Sequence, residues 1–155
     1  MEFDGGELES GAGVSPEEAQ QGASTDVVRL RRALEEFVDL EVDEDGDLFA
    51  VHEQVRSYLF LRDSQGGRVI EVFSTPATAL RIDPALFRWV ATAANRYRFG
   101  ALSAYVRDDG LVNLNFAYST PYDALTDDAL RACVLPVVFT AGDLHREAVT
   151  LFSEG

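Results

Sequence analysis

The sequence predicts an α+β domain of order α-β-β-β-α-β-β-α, with one antiparallel sheet of about five strands packed by helices. Three observations carry this. Apolar residues recur at steps of three and four in three segments, near 27–38, 86–97 and 130–151, the spacing of a helix with one buried face. Between residues 112 and 119 they alternate instead, as in a strand with one buried side. Ser64-Gln65-Gly66-Gly67 and Asp108-Asp109-Gly110 then supply turns tight enough to pair neighbouring strands as hairpins. A chain of 155 residues fits one domain, and 46% hydrophobic residues are enough to build its core.

The elements follow in order. Residues 1–23 hold six acids and no Arg, a composition that buries too little apolar surface to offset ordering entropy, so a disordered acidic tail is expected there. Within it, Ser15-Pro16-Glu17-Glu18 has the form of a capping box with Pro at the first helical position, although Gly22 should end any helix it starts. The domain is expected to span 24–155. Its first helix opens near Thr25-Asp26 and runs to about Asp39, with Val27, Leu30, Leu34, Phe37 and Val38 as the buried stripe. Strands are predicted at 48–52, 55–62 and 68–74, with Pro76 ending the run. Asp83 caps the second helix with Pro84 in its first turn; Leu86, Phe87, Val90, Ala93, Ala94 and Tyr97 face the core, and Gly100 terminates it. Strands 101–107 and 111–119 pair across the aspartate-glycine turn. The last helix opens at Thr126-Asp127-Asp128, and Pro136 should kink it or split it in two, because its ring clashes one turn back.

Composition excludes several functions. A net charge of -14 repels nucleic acid and anionic membranes and favours encounter with basic partners. All 13 basic residues are Arg, which removes lysine Schiff-base chemistry and any phosphate loop ending in Lys. A lone Cys133 forms no internal disulfide. There is neither a signal-peptide pattern nor a stretch apolar enough to span a bilayer, so a soluble, cytoplasmic protein is expected.

Chemical candidates fail one by one. Asp43-Glu44-Asp45-Gly46-Asp47 resembles part of a calcium loop, but His52 stands where the closing bidentate glutamate belongs, and an acidic turn is the simpler reading. His52 and His145 are far apart in sequence, and no Ser sits in a nucleophile elbow. Cys133 is expected to be a buried, inert thiol, and His145 a solvated helix residue. No catalytic, cofactor or metal residue is therefore assigned. The competing class is an enzyme or small-molecule binder built from scattered acids such as Asp108 and Asp123.

The strands carry more. Leu59, Leu61, Val72, Val106, Leu114 and Phe116 form a face for the helices. Tyr58, Phe60, Val69, Phe73 and Tyr105 point the other way, interspersed with Arg56, Glu71, Asn113 and Asn115. Something apolar must cover this second face: a helix of the same chain, a second copy, or a peptide laid on the face or added at an edge. Trp89, at the margin of the second helix's stripe, is either a helix-sheet seam residue or a binding anchor.

The stretches Arg56-Ser57-Tyr58-Leu59-Phe60-Leu61 and Asn95-Arg96-Tyr97-Arg98-Phe99-Gly100-Ala101-Leu102, followed by the Asp109-Gly110 hairpin, resemble the YbjN-like family. The element order is similar to the class I type III secretion chaperone-like fold. The likeness covers about residues 25–153. It implies a non-enzymatic protein- or peptide-binding module, chaperone-like or regulatory and often a homodimer, and it favours a second copy or a peptide over self-cover. On that reading Tyr58, Phe60, Phe73, Tyr105 and Trp89 are the partner-binding residues, the partner being basic, with no nucleic acid, membrane or cofactor involved.

Overall fold

The computed structural model describes residues 15–152, with backbone alone over 17–24. Three helices, α1 (Pro16–Leu34), α2 (Pro84–Ala93) and α3 (Asp127–Phe152), accompany six strands: β1 (Asp39–Val42), β2 (Leu48–His52), β3 (Val55–Ser64), β4 (Gly67–Leu80), β5 (Ala101–Val106) and β6 (Val112–Pro121). The strands form one sheet of order β1-β2-β3-β4-β6-β5, antiparallel throughout. The hairpin β5–β6 docks its second strand on β4, which leaves β5 at one edge and β1 at the other.

The helix layer lies on one face. Leu30, Ala33 and Leu34 of α1, Leu86 and Ala93 of α2, and Leu130, Val134, Val137, Val138, Ala141, Leu144 and Ala148 of α3 close over that face. Beneath them lie Ala50, Leu59, Ile70, Val72, Leu102, Leu114 and Phe116. α3 crosses β2, β3, β4 and β6, α2 packs on β5, and α1 rests against α3. Burying a Leu, Val or Phe side chain contributes about 1.5–3 kcal/mol, so this layer supplies the main driving force for folding. Ser57 and Ser74 are wholly buried beneath it and satisfy each other, hydroxyl to hydroxyl at 2.7 Å.

Several expectations need correction. The sheet has six strands because Asp39–Val42, too short and acidic to read as a strand, pairs with Leu48–Val51. Helix α1 starts at Pro16, passes Gly22 and ends at Leu34, so residues 16–23 are helical; the expectation for residues 1–14 lies outside the described residues. Strand β4 continues through Pro76 to Leu80, with irregular register on either side of Ala77. Proline is tolerated there because the β3 ladder reaches only Ser74, so no β3 partner awaits its missing N–H. Helix α2 ends at Ala93, seven residues before Gly100, and Phe87 of its expected buried stripe is exposed. Helix α3 is a single 26-residue helix through Pro136. The carbonyl that Pro136 leaves without a donor belongs to Ala132, an exposed residue, so it stays open to solvent and carries no burial penalty. Of the expected core face, Leu61 is half-buried and Val106, near the outer end of an edge strand, is 47% exposed.

Candidate functional site

The register decides which aromatic residues meet. Antiparallel partners share a face, and Phe49 pairs with Tyr58, Tyr58 with Phe73, Phe73 with Ala117 and Ala117 with Ala101. One row thus crosses five strands on the face opposite the helices, and no described helix covers it. Phe60 lies two residues along β3 from Tyr58, and their rings stack at 5.6 Å, while Phe49 and Tyr58 tilt together at 5.4 Å. Guanidinium groups cap the two ends of the cluster. Arg56 lies 4.8 Å from the Phe49 ring and Arg62 lies 5.2 Å from the Phe60 ring, both within cation–π range. Arg62 also reaches Glu71 at 3.4 Å.

Of the five residues assigned from sequence, the structure brings together Tyr58, Phe60 and Phe73. Tyr105 shares their face but pairs with Asn113, four residues along β5 from the aromatic row, and is 56% exposed. Trp89 lies on the helix side, partly buried and 5.7 Å from Phe152, so it is a seam residue between α2 and the end of α3. Phe49 was missed. Alternation alone left the facing of β2 open, and only pairing with Tyr58 puts its ring, 2% exposed, into the row.

Beside Tyr58 and Phe73 a cleft of about 520 Å³ opens where β4 outruns β3, lined in part by Arg56, Thr75, Thr78 and His145. His145 is half-buried rather than solvated. Its Nδ1–H donates to the Pro76 carbonyl at 2.7 Å, which fixes the proton on Nδ1 because a carbonyl can only accept. His52 packs edge-on against Phe139 at 4.8 Å, and Cys133 is half-buried on α3.

The acids proposed for an enzyme are apart. Asp108 belongs to the β5–β6 hairpin, and Asp123 follows the far end of β6. Asp123 accepts from the Arg68 guanidinium at 2.7 Å and from the Arg68 backbone N–H at 3.0 Å, and these bonds hold its carboxyl below the usual range. The described residues hold no group of three or more His, Cys, Asp or Glu side chains suited to a metal ion. No described helix is long and apolar enough to cross a membrane.

Neither a protein-family model nor a curated protein matches this chain. Among solved structures, it is similar to the crystal structure of YbjN from E. coli, a candidate transcription regulator, with a TM-score of 0.57 and 20% identity. The match covers 78% of this chain and 89% of that one. The described chain, a six-stranded antiparallel sheet with three helices on one face, has the YbjN-like fold.

Proposed function

We propose that this chain is a non-enzymatic protein- or peptide-binding module, chaperone-like or regulatory, which takes a partner segment on the aromatic sheet face or along a strand edge. The observation that carries this reading is the half-buried group Tyr58, Phe60 and Phe73, with Phe49 buried beside it as support, on a face that no described helix covers. Aromatic rings gathered on a supported sheet give a partner large apolar contact at small entropic cost, and arginines at the rim add hydrogen-bond donors. Tyr105 extends the surface towards β5. The net charge of -14 attracts basic segments from a distance, so a basic partner is proposed, and a homodimer is the alternative cover for the same face.

The test is a double substitution, Phe60→Ser with Phe73→Ser, on half-buried side chains outside the helix-facing core. Affinity capture from the native organism and sedimentation velocity are compared with wild type, and circular dichroism reports the fold. The expected outcome is a folded variant that loses its partner or dissociates from dimer to monomer. A variant that unfolds would make these rings structural, and one that is folded with its partner retained would move binding elsewhere.

A further inference from the structure

We infer that the free edge of β5, flanked by α2, is a docking edge for an acidic extended peptide segment, which adds as a seventh strand. The inference rests on the binding-module reading for the use of a strand edge. At this edge the local excess of arginine, not the net charge of the chain, sets the chemistry, so the occupant is acidic where the aromatic face draws a basic one.

The two sheet edges differ. β1 is four residues long, carries Asp39 and Glu41 and runs into the acidic turn at 43–47; short, charged edges resist pairing with another chain. β5 has no such protection. Ala101–Val106 holds no charge and no proline, and it pairs with β6 in unbroken register without a bulge. No described strand lies on its outer side. Ala101, Ser103 and Tyr105 are exposed, and Val106 is 47% exposed. Apolar side chains continue around this margin, with Ile82, Phe87 and Phe99 all exposed. An uncharged, bulge-free edge strand with exposed apolar neighbours is a template for strand addition.

Charge selects the occupant. The segment 81–107, which forms α2, β5 and their connections, carries Arg81, Arg88, Arg96, Arg98 and Arg107 against Asp83 alone, inside a chain of net charge -14. Arg96 is engaged by Glu147 and Arg107 by Asp109 of the hairpin. Arg81, Arg88 and Arg98 are exposed and make no ion pair with a described residue. Two copies meeting β5 to β5 would bring two such arginine-rich segments together, whereas an acidic strand is complementary in charge to the segment that carries the edge.

The test uses the full chain and a fluorescein-labelled peptide of alternating glutamate and valine, long enough to span β5, read by fluorescence anisotropy. Two counterpart peptides carry lysine for glutamate, or proline for alternate valines so that ladder N–H groups are lost. The expected result is binding that weakens with salt and falls about tenfold for either counterpart and for the variant Arg88→Glu/Arg98→Glu. Glu41→Gln, on the opposite edge strand β1, should bind this peptide as wild type does. Equal or tighter binding of the lysine peptide, or no binding of the glutamate peptide, overturns the inference. Loss on the Phe60/Phe73 variant alone also overturns it, while leaving the binding-module reading intact. Self-association abolished by Arg88→Glu/Arg98→Glu would assign the edge to a second copy instead. Should that variant fail to fold, the two counterpart peptides still decide.

Discussion

Gly142 and Gly100 are the residues where backbone meets side chain most closely. A Cβ on Gly142 would stand 2.6 Å from His52 Cδ2 and 3.0 Å from Glu53 Cβ, so the absent side chain is what lets α3 lie against the β2–β3 turn. That turn is itself tight, with Glu53 and Gln54 both at positive φ (48° and 67°), and it has little freedom to retreat. Gly142→Ala should therefore destabilise the fold by about 1–3 kcal/mol, the usual cost of overpacking a filled core, despite alanine's better helix propensity. Urea unfolding with an unchanged slope would measure it, and a neutral result would show that the turn yields. Gly100 combines a φ of 89° with a Cβ position overlapping the Phe116 ring, so Gly100→Ala should cost at least as much in the same assay. Sequence pointed to Gly100, as a helix stop, for the wrong reason: α2 is already over, and the glycine serves the entry to β5. Nothing local pointed to Gly142, because its constraint comes from a turn about ninety residues away.

At the scale of elements, α1 is held to the domain by a knot of charged groups as well as by its apolar stripe. Arg68 at the start of β4 bridges Asp26 of α1 at 2.5 Å and Asp123 at 2.7 Å, while Arg29 and Arg32 of α1 reach Asp127 at the start of α3. Tyr122, wholly buried, lies between Arg29 at 4.5 Å and Arg68 at 5.2 Å, and burial pushes its hydroxyl pKa up. Hydrogen bonds from Arg68 and from Arg29 hold Asp123 and Asp127, respectively, below the usual carboxylate range. A carboxylate depressed in the folded state stabilises above its unfolded pKa, and that contribution is lost as pH falls through the folded value. Hydrogen-exchange protection of α1 should accordingly drop on acidification below the ordinary carboxylate range. In Arg68→Ala it should be reduced already at neutral pH and respond less to acid, and equal acid responses would remove the knot from the account. Leu30 and Leu34 of the α1 stripe were legible in its periodicity, although Phe37 of that stripe lies past the helix end and is exposed; the existence of α2, α3 and the two predicted hairpins was legible as well. The knot was not, since its members are scattered from Asp26 to Asp127 and only the fold assembles them. β1 stayed hidden because four residues with two acids carry too little alternation to register, and the facing of Phe49 stayed open for want of a pairing partner.

For the molecule as a whole, two electrostatic effects oppose each other, and salt decides which governs stability. A net charge of -14 loads the compact state with self-repulsion, which added ions screen over about 8–10 Å near physiological salt. The same ions weaken the ion pairs, most of which have at least one partner more than a third exposed. Exposed pairs are worth about 0–1 kcal/mol each and screening removes only part of that, whereas repulsion acts among all the surplus acids at once. The balance favours screening of the repulsion, so the melting temperature should rise from low to moderate sodium chloride. The rise should saturate once the screening length is shorter than the spacing between surface acids. Differential scanning calorimetry along a salt series at neutral pH measures this, and Arg68→Ala, with fewer pairs to lose, should gain at least as much as wild type. A melting temperature that falls with salt would mean that the knot around Tyr122 outweighs the net charge, and that α1 is held by electrostatics more than by Leu30, Ala33 and Leu34.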